Sequence, residues 1–592
     1  MDIFEYPVDS KLLLRKKLRL KKELLANSES YPEKRIAVLG GSTTNEIVDQ
    51  LELFLLHYGI RPTFYQSEYA QYWQDAVFGN EELDGFRPDV VFIHTSWRNI
   101  PAFPTTSDTR EEVDSLLENT FRHFAGMWDS LAKKFQCPII QNNFDRPAWR
   151  LLGNSDISDY RGRTNFISRL NQRLYEYAGS HEAFFVNDID FLAADYGLEA
   201  WSNPLYWHMY KYSLCLDAIP GLAKSVADII KSIYGKNRKV LVCDLDNTLW
   251  GGVVGDDGVE GIQIGPEVPV GQIYSEFQQY IKELKSIGVL LAVNSKNDPE
   301  NAIAGLNHPD GALKPDDFVS IKANWDNKDR NIQAIAAELN LGTDSFVFID
   351  DNPTEREIIT RADPGVAVPV MDQVENYLRT IDRSGYFEVT ALSEDDLSRT
   401  KMYKANAQRV QLQESVGDYG AFLESLHMKA TIREFEPIYM QRIAQLTNKS
   451  NQFNLTTLRC SESDIGNMQA SDEYVCLYGK LEDKFGDNGV VSVVAGQITE
   501  KELHIRLWLM SCRVLKRGME DAMLDTLVSD AKAKGIRYLI GYYYPTPKNK
   551  MVKDFYEKMG FSFLSGDDAG NTVWELDLSD YAPKGPAIEI QR

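Results

Sequence analysis

Residues 239–253, KVLVCDLDNTLWGGV, decide how this chain is read. Val240 to Cys243 form a short apolar run, the pattern of a strand buried on both faces of a parallel sheet. The run ends in Asp244-Leu245-Asp246-Asn247-Thr248, a D-x-D-x-T motif. Two carboxylates two residues apart at a strand end can divide a reaction between them. One attacks phosphorus while the other moves a proton. A divalent cation beside them would neutralise phosphoryl oxygens. Taken alone, the motif reads equally well as a strand followed by an acidic turn.

Three further pieces follow in order. VLLAVNS, 289–295, is a second apolar run, and it ends at Ser295, whose hydroxyl can hold a phosphoryl oxygen. Lys328, in NWDNKDRNI, supplies a fixed positive charge. FVFIDD, 346–351, is a third apolar run closed by Asp350 and Asp351. Carboxylate oxygens of this kind suit Mg2+. The ordered set resembles the haloacid dehalogenase superfamily, which transfers phosphoryl groups through an aspartyl-phosphate. The resemblance implies Asp244 as nucleophile and Asp246 as general acid and base. It implies Thr248 and Ser295 as phosphate-orienting groups and Lys328 as the charge stabiliser. Mg2+ is expected among Asp244, Asp246, Asp350 and Asp351. Only a glycine-rich segment and one helix separate Asp246 from Ser295, so the domain is expected to lack a large cap.

At 592 residues the chain has material for several domains. Its 43% hydrophobic and 26% charged fractions are ordinary for a soluble protein. No apolar run reaches the length of a membrane span, and the N-terminus lacks the apolar core of a secretory signal. Six cysteines without C-x-x-C spacing read as reduced thiols in a cytoplasmic protein. The net charge of −23 argues against nucleic acid as a partner. Lys11 to Lys22, interleaved with leucines, reads as a basic amphipathic arm packed on the body.

The expected organisation is α/β in three domains. A helical arm, 1–33, precedes a parallel α/β domain over 34–233. There Gly40-Gly41-Ser42-Thr43 resembles the nucleophile loop of SGNH hydrolases, with Gly41 where an Asp is usual. Asn99 and His208 are the candidate oxyanion and base residues. A degenerate domain that binds a partner or orients the others is the preferred reading. The capless Rossmann-like phosphotransfer domain covers 238–390, and a charged helical connector covers 391–427. A mixed α+β domain over 428–580 resembles the GNAT acyltransferases. In it Tyr556 matches a thiolate-protonating tyrosine, and Arg513 to Gly518 matches the pyrophosphate loop imperfectly, with Lys516 at a usual glycine. Arg513, Arg517 and Gly518 are the expected contacts for coenzyme A or a carrier-bound phosphopantetheine.

DLDNTLWGGVVGDDG, LAVNSKND, FIDDNPTEREII, LTNKSNQFNLTT and the FYEKMGF tail together resemble the FkbH-like proteins. That resemblance implies removal of phosphate from a small phosphorylated acyl donor, 1,3-bisphosphoglycerate. It also implies delivery of the glyceryl unit to an acyl carrier protein in polyketide biosynthesis. The chemistry calls for a thiol, with Cys243 the candidate and Cys512 the next. Successive strand residues face opposite sides, so Cys243 should point away from Asp244. A phosphatase or acyltransferase in surface-glycan assembly is the alternative function.

Overall fold

The structure, a computed structural model, describes residues 3–592 except 451 and 547, with the side chains of 395, 414 and 512 left aside. Two compact units divide the chain. One holds 1–233 together with 388–390, and the other holds 234–387 and 391–592. The chain therefore leaves the first unit at Ile233 and returns to it for three residues. At the return, Ser232 Oγ donates to the Glu388 carbonyl at 3.0 Å and lies 2.9 Å from Thr390 Oγ1.

The first unit is built on five parallel strands in the order β2-β1-β3-β4-β5. They are β1 (Glu33–Gly40), β2 (Arg61–Gln66), β3 (Val90–His94), β4 (Ile139–Asn142) and β5 (Phe184–Asn187). All five residues of β3 are buried, because helices cover both faces of the sheet. The basic arm is the helix Ser10–Leu25, whose Lys17 pairs with Glu46 and Asp49 at 2.6 and 2.7 Å. On the helix Ile219–Ile233, Lys224 and Lys231 both reach Asp228 at 2.7 Å, and all three side chains are buried.

The second unit carries two sheets. The smaller has four parallel strands in the order β8-β7-β6-β9. They are β6 (Val240–Cys243), β7 (Leu290–Ser295), β8 (Ser320–Ala323) and β9 (Phe346–Ile349). Side chains alternate as a strand requires. Leu241 and Cys243 join one hydrophobic core, Val240 and Val242 the other. No large cap is inserted: a single short helix, Val254–Asp257, stands between the motif and the long helix Pro269–Ser286.

The larger sheet is mixed, with eight strands in the order β15-β16-β14-β13-β12-β11-β10-β17. In chain order these are β10 (Met428–Glu434), β11 (Tyr474–Asp483), β12 (Gly486–Thr499), β13 (Glu502–Met510), β14 (Tyr538–Tyr543), β15 (Ser562–Gly566), β16 (Thr572–Asp577) and β17 (Ile588–Gln591). Cores lie on both of its faces. β13 and β14 pair in parallel over only Glu502–Ile505 and Tyr538–Gly541 and then part. The connector between the two sheets is the helix Glu394–Val416. Among the described residues no helix is long and apolar enough to cross a membrane.

Candidate active site

In open parallel sheets, ligands bind beyond the C-terminal strand ends where the strand order reverses. In the four-stranded sheet that reversal falls between β6 and β9. Cys243 and Ile349 are paired in register, so the following residues, Asp244 and Asp350, emerge side by side. Oxygens of Asp244, Asp350 and Asp351 all lie within 4.8 Å of one another, and no described group outside this trio makes such a cluster.

Lys328, the first residue of the helix Lys328–Leu339, lies between them. Its Nζ is 2.5 Å from Asp350 and 3.1 Å from Asp244, with the lysine and Asp350 almost wholly buried. Burial works against the ammonium, but the two carboxylates outweigh it and raise its pKa. Burial, with Asp244 adding repulsion, pushes the Asp350 carboxyl up to about 7. Asp351 is raised by the same two causes. One lysine thus leaves negative charge uncompensated, and Asp244 Oδ1 is buried without a hydrogen-bond partner. A hard divalent cation fits this set of donors.

The remaining residues divide by position. Thr248 is fully buried, and its Oγ1 accepts from the Asp351 amide at 3.2 Å. Ser295 is buried at the tip of β7. Asp246 stands apart from the cation cluster. Its carboxylate accepts from Trp250 Nε1, the Val254 amide and Asn297 Nδ2 at 2.9 to 3.0 Å. The expectation of Asp246 as a fourth side-chain ligand is corrected accordingly. Burial nonetheless raises its pKa, which suits a group that must carry a proton.

Several site residues escaped the sequence reading. Asn294 Nδ2 donates to the Lys328 carbonyl at 2.9 Å, and Asn331 Nδ2 donates to Asn294 and Asn324 at 3.1 and 2.9 Å. These asparagines fix the helix start that carries the lysine. Arg356 donates to the Asp350 and Asp351 carbonyls at 2.8 and 2.7 Å, holding the acidic turn. The density of asparagine in VNSKND and NWDNKDRN was the available signal.

Cys243 does not fit the role of carrier thiol. It is fully buried in the core with Leu241, on the strand face away from Asp244's neighbours, and burial raises its thiol far above the usual range. A side chain that never meets solvent has no route to a carrier. The side chain of Cys512 lies outside the described residues.

In the first unit the reversal of strand order falls between β1 and β3, and Ser42 follows β1. Its hydroxyl meets Ser213 Oγ at 3.2 Å, which lies 3.0 Å from His94 Nε2. His208 is exposed on another helix, so the expected pairing with Ser42 is corrected. Asn142 Oδ1 accepts from Asn187, which turns the Asn142 amide group toward His94 Nδ1 at 2.9 Å. Nδ1 is then the acceptor, and the proton sits on Nε2 facing Ser213. Burial pushes this histidine down to about 4. A neutral histidine that donates toward the serines is not their base. Asn99 donates to the Gly41 carbonyl at 2.9 Å and packs where a Gly41 side chain would stand.

The third body does not present a coenzyme A cleft. The gap between β13 and β14 is filled by the chain itself. Leu455 donates to the Trp508 carbonyl at 3.1 Å, Met510 to Phe453 at 3.0 Å and Tyr544 to Leu455 at 2.9 Å. The connector helix covers the loop before the helix Met519–Ala533. Arg517 donates to Asn406 at 2.6 Å and shares buried Asp483 with Arg409, and Arg513 contacts Met402. Gly518 caps the helix with φ 83°, but Glu520 in the first turn takes the Lys516 amide at 3.3 Å. A half-buried carboxylate there opposes a diphosphate. Tyr556 is a core residue, 1% exposed, flat against Gly541 with its hydroxyl unpartnered. The residues present therefore do not fit coenzyme A, and the expectation of it, or of a phosphopantetheine arm in this gap, is corrected.

Residues 35–231 match the model of a family described as FkbH, N-terminal domain. Among solved structures, the chain is similar to the N-terminal part of protein BF1531 from Bacteroides fragilis, described as containing a phosphatase domain and complexed with Mg. The two are 29% identical over 63% of this chain and 99% of that one, with a TM-score of 0.58. Two acetyltransferases also match. The ribosomal-protein-S18-alanine N-acetyltransferase from Escherichia coli is 14% identical over 26% of this chain and 97% of its own, with a TM-score of 0.21. The PaiA N-acetyltransferase from Thermoplasma acidophilum, in complex with coenzyme A, is 15% identical over 25% and 99%, with a TM-score of 0.21. No curated protein matches the chain.

Proposed function

We propose that this chain, in which an FkbH N-terminal domain precedes a phosphatase domain of haloacid dehalogenase type, dephosphorylates a small glyceryl phosphate donor and passes the glyceryl unit to an acyl carrier protein. The observation that carries the phosphatase part is the convergence of Asp244, Asp350, Asp351 and Lys328, with one Asp244 oxygen unpartnered. Asp244, Asp350 and Asp351 would hold Mg2+, which when bound supplies positive charge to the phosphoryl oxygens. The Mg-complexed phosphatase domain of the Bacteroides fragilis protein supports that choice of cation.

Asp244 attacks phosphorus, the bond to the leaving oxygen breaks, and Asp246 protonates that oxygen. Asp246 then takes a proton from the water that releases phosphate from Asp244. Lys328 holds Asp244 in place, and Thr248 and Ser295 orient the phosphate. In 1,3-bisphosphoglycerate the acyl phosphate serves thioester formation on the carrier thiol. The remaining phosphate ester is the substrate of Asp244. No thiol of this chain is needed, in keeping with the buried Cys243.

The test is intact-protein mass spectrometry of carrier proteins incubated with 1,3-bisphosphoglycerate and Mg2+. Wild-type protein should yield a glyceryl-carrier. Asp244→Asn should yield no glyceryl-carrier: it should stop at a phosphoglyceryl-carrier and release no phosphate from the ester. Carriers that stay unmodified, with phosphate released instead from sugar phosphates, would move the assignment to surface-glycan assembly.

A further inference from the structure

Within the second unit a cavity of about 280 Å3 lies between the two sheets. It is lined by Lys239 and Asn340–Ser345 from the four-stranded side, Arg399 from the connector, and Arg442, Lys449, Arg513 and Lys548 from the mixed-sheet side. Lys239 directly precedes β6 and Ser345 directly precedes β9. Those are the N-terminal strand ends, a full strand length from Asp244 and Asp350. The cavity is therefore not part of the phosphatase centre.

Its lining is strongly cationic. Six lysines and arginines face one carboxylate, Asp344, among the described lining residues. A second carboxylate, Asp396, accepts from Lys449 at 3.2 Å and also from Arg399. Asp344 pairs with Lys548. Asp344 and Asp396 thus pair with Lys548, Lys449 and Arg399. Burial, with Arg399 and Arg442 adding repulsion against the pull of Asp396, pushes Lys449 down to about 8. Half-buried and exposed cations gathered at this density repel one another, and an anion among them offsets that repulsion. Gln452 also lines the cavity, and its Oε1 is buried without a hydrogen-bond partner. An orphan acceptor in a cationic chamber calls for a ligand with a hydroxyl as well as a charge. The volume falls at the lower end of ligand pockets, which run roughly 300–1,000 Å3 for drug-sized molecules. It suits a compact metabolite and is too small for a nucleotide cofactor.

We propose that this cavity binds a small hydroxylated organic anion, bearing phosphate or carboxylate groups, at a site separate from Asp244. The ligand would bridge cations of the phosphatase domain, the connector and the mixed-sheet domain. The proposal does not rest on the glyceryl-transfer reading, because its test reads binding and not turnover.

The experiment is isothermal titration of the full chain with 3-phosphoglycerate and, separately, inorganic pyrophosphate, in chelator so that no phosphate is released. Both should bind saturably at one site. The double variant Arg442→Gln/Lys449→Met should weaken both at least tenfold while keeping Mg2+-dependent phosphate release. Gln452→Leu, which removes no charge, should weaken 3-phosphoglycerate more than pyrophosphate, which has no hydroxyl. Absence of saturable binding would overturn the proposal. So would equal affinity in wild type and double variant, which would locate the anion at Asp244 or on the surface. Coenzyme A that binds more tightly and displaces pyrophosphate would show a nucleotide cofactor as the occupant and would also overturn it.

Discussion

Replacing Lys328 by methionine keeps most of the side-chain volume and removes the cation that bridges the Asp244 and Asp350 carboxylates. The oxygens of those carboxylates lie within 4.8 Å of one another. At an effective dielectric near 20, two full charges at that distance repel by about 3.5 kcal/mol. Removing one partner of a buried ion pair costs about 3–5 kcal/mol in measured cases. In chelator, the variant should therefore unfold with a stability loss of that size at pH 8.5. The loss should depend on pH, with a sign set by Asp350. That carboxyl is raised to about 7, by burial and then by Asp244. Its ionisation opposes folding at any pH above the ordinary carboxylate range, and the opposition is complete only once pH passes the folded value. Without Lys328 the folded value rises further. The penalty should then be near full at pH 8.5, smaller at pH 6, and largely gone near pH 3, where the Asp350 carboxyl is mostly protonated in both states. Saturating Mg2+ should return most of the lost stability at pH 8.5, since a cation bound only by the folded state stabilises it. Phosphate release should still fall 10²- to 10³-fold, the scale of one lost electrostatic group. Urea unfolding at three pH values, with and without Mg2+, reads the stability changes, and a phosphate assay reads the rate. A stability loss that is the same at pH 6 and 8.5 would refute the electrostatic account and reduce Lys328 to a packing residue.

Three further outcomes follow from the geometry. Cys243→Ala should leave glyceryl transfer within a few-fold of wild type and cost about 1 kcal/mol of stability as a small core cavity; loss of transfer in mass spectrometry of the carrier would restore it as the carrier thiol. Ser42→Ala should likewise leave phosphate release and acyl transfer within a few-fold, because neutral His94 donates toward the serines; a fall of 10²-fold or more would mark a working base. Asp228→Asn removes the buried carboxylate that both Lys224 and Lys231 reach, and should destabilise the first unit by about 3–5 kcal/mol. The two lysines hold the Asp228 carboxyl below its usual range despite burial, so its contribution is present above the ordinary carboxylate pKa and is lost in stronger acid. Urea unfolding at pH 7 and pH 3 measures the difference.

Much of the phosphatase site was legible because strand ends and carboxylates are local signals. VLVCDLD and FVFIDD each state a buried strand and its acidic tip, and parallel pairing brings the two tips together. The exclusion of Asp246 from the cation cluster was not legible, since its partners Trp250, Val254 and Asn297 arrive from turns with no periodic signature. His94 was missed for a similar reason. In VVFIHTS it reads as the polar end of a strand, and only the tertiary fold brings Ser213 to it from 119 residues away. The third body misled most. SCRVLKRGMEDAML has the outline of a phosphate loop, but its Arg517 is used by Asn406 and Asp483, and the gap beside it is closed by Phe453 to Thr456. Sequence spacing reports which groups a loop carries; it does not report which part of the same chain has already engaged them.

The return of residues 388–390 to the first unit bears on how the protein is made. The first 233 residues leave the ribosome as a nearly complete parallel sheet with its helices. The piece they lack is encoded after the whole four-stranded domain, and Ser232 waits for Glu388 and Thr390. At translation rates of about 5–20 residues per second, the delay is on the order of 8–30 s. During that interval the nascent first unit lacks the contacts of Ser232 to Glu388 and Thr390, and translation speed across 234–387 sets how long it lacks them.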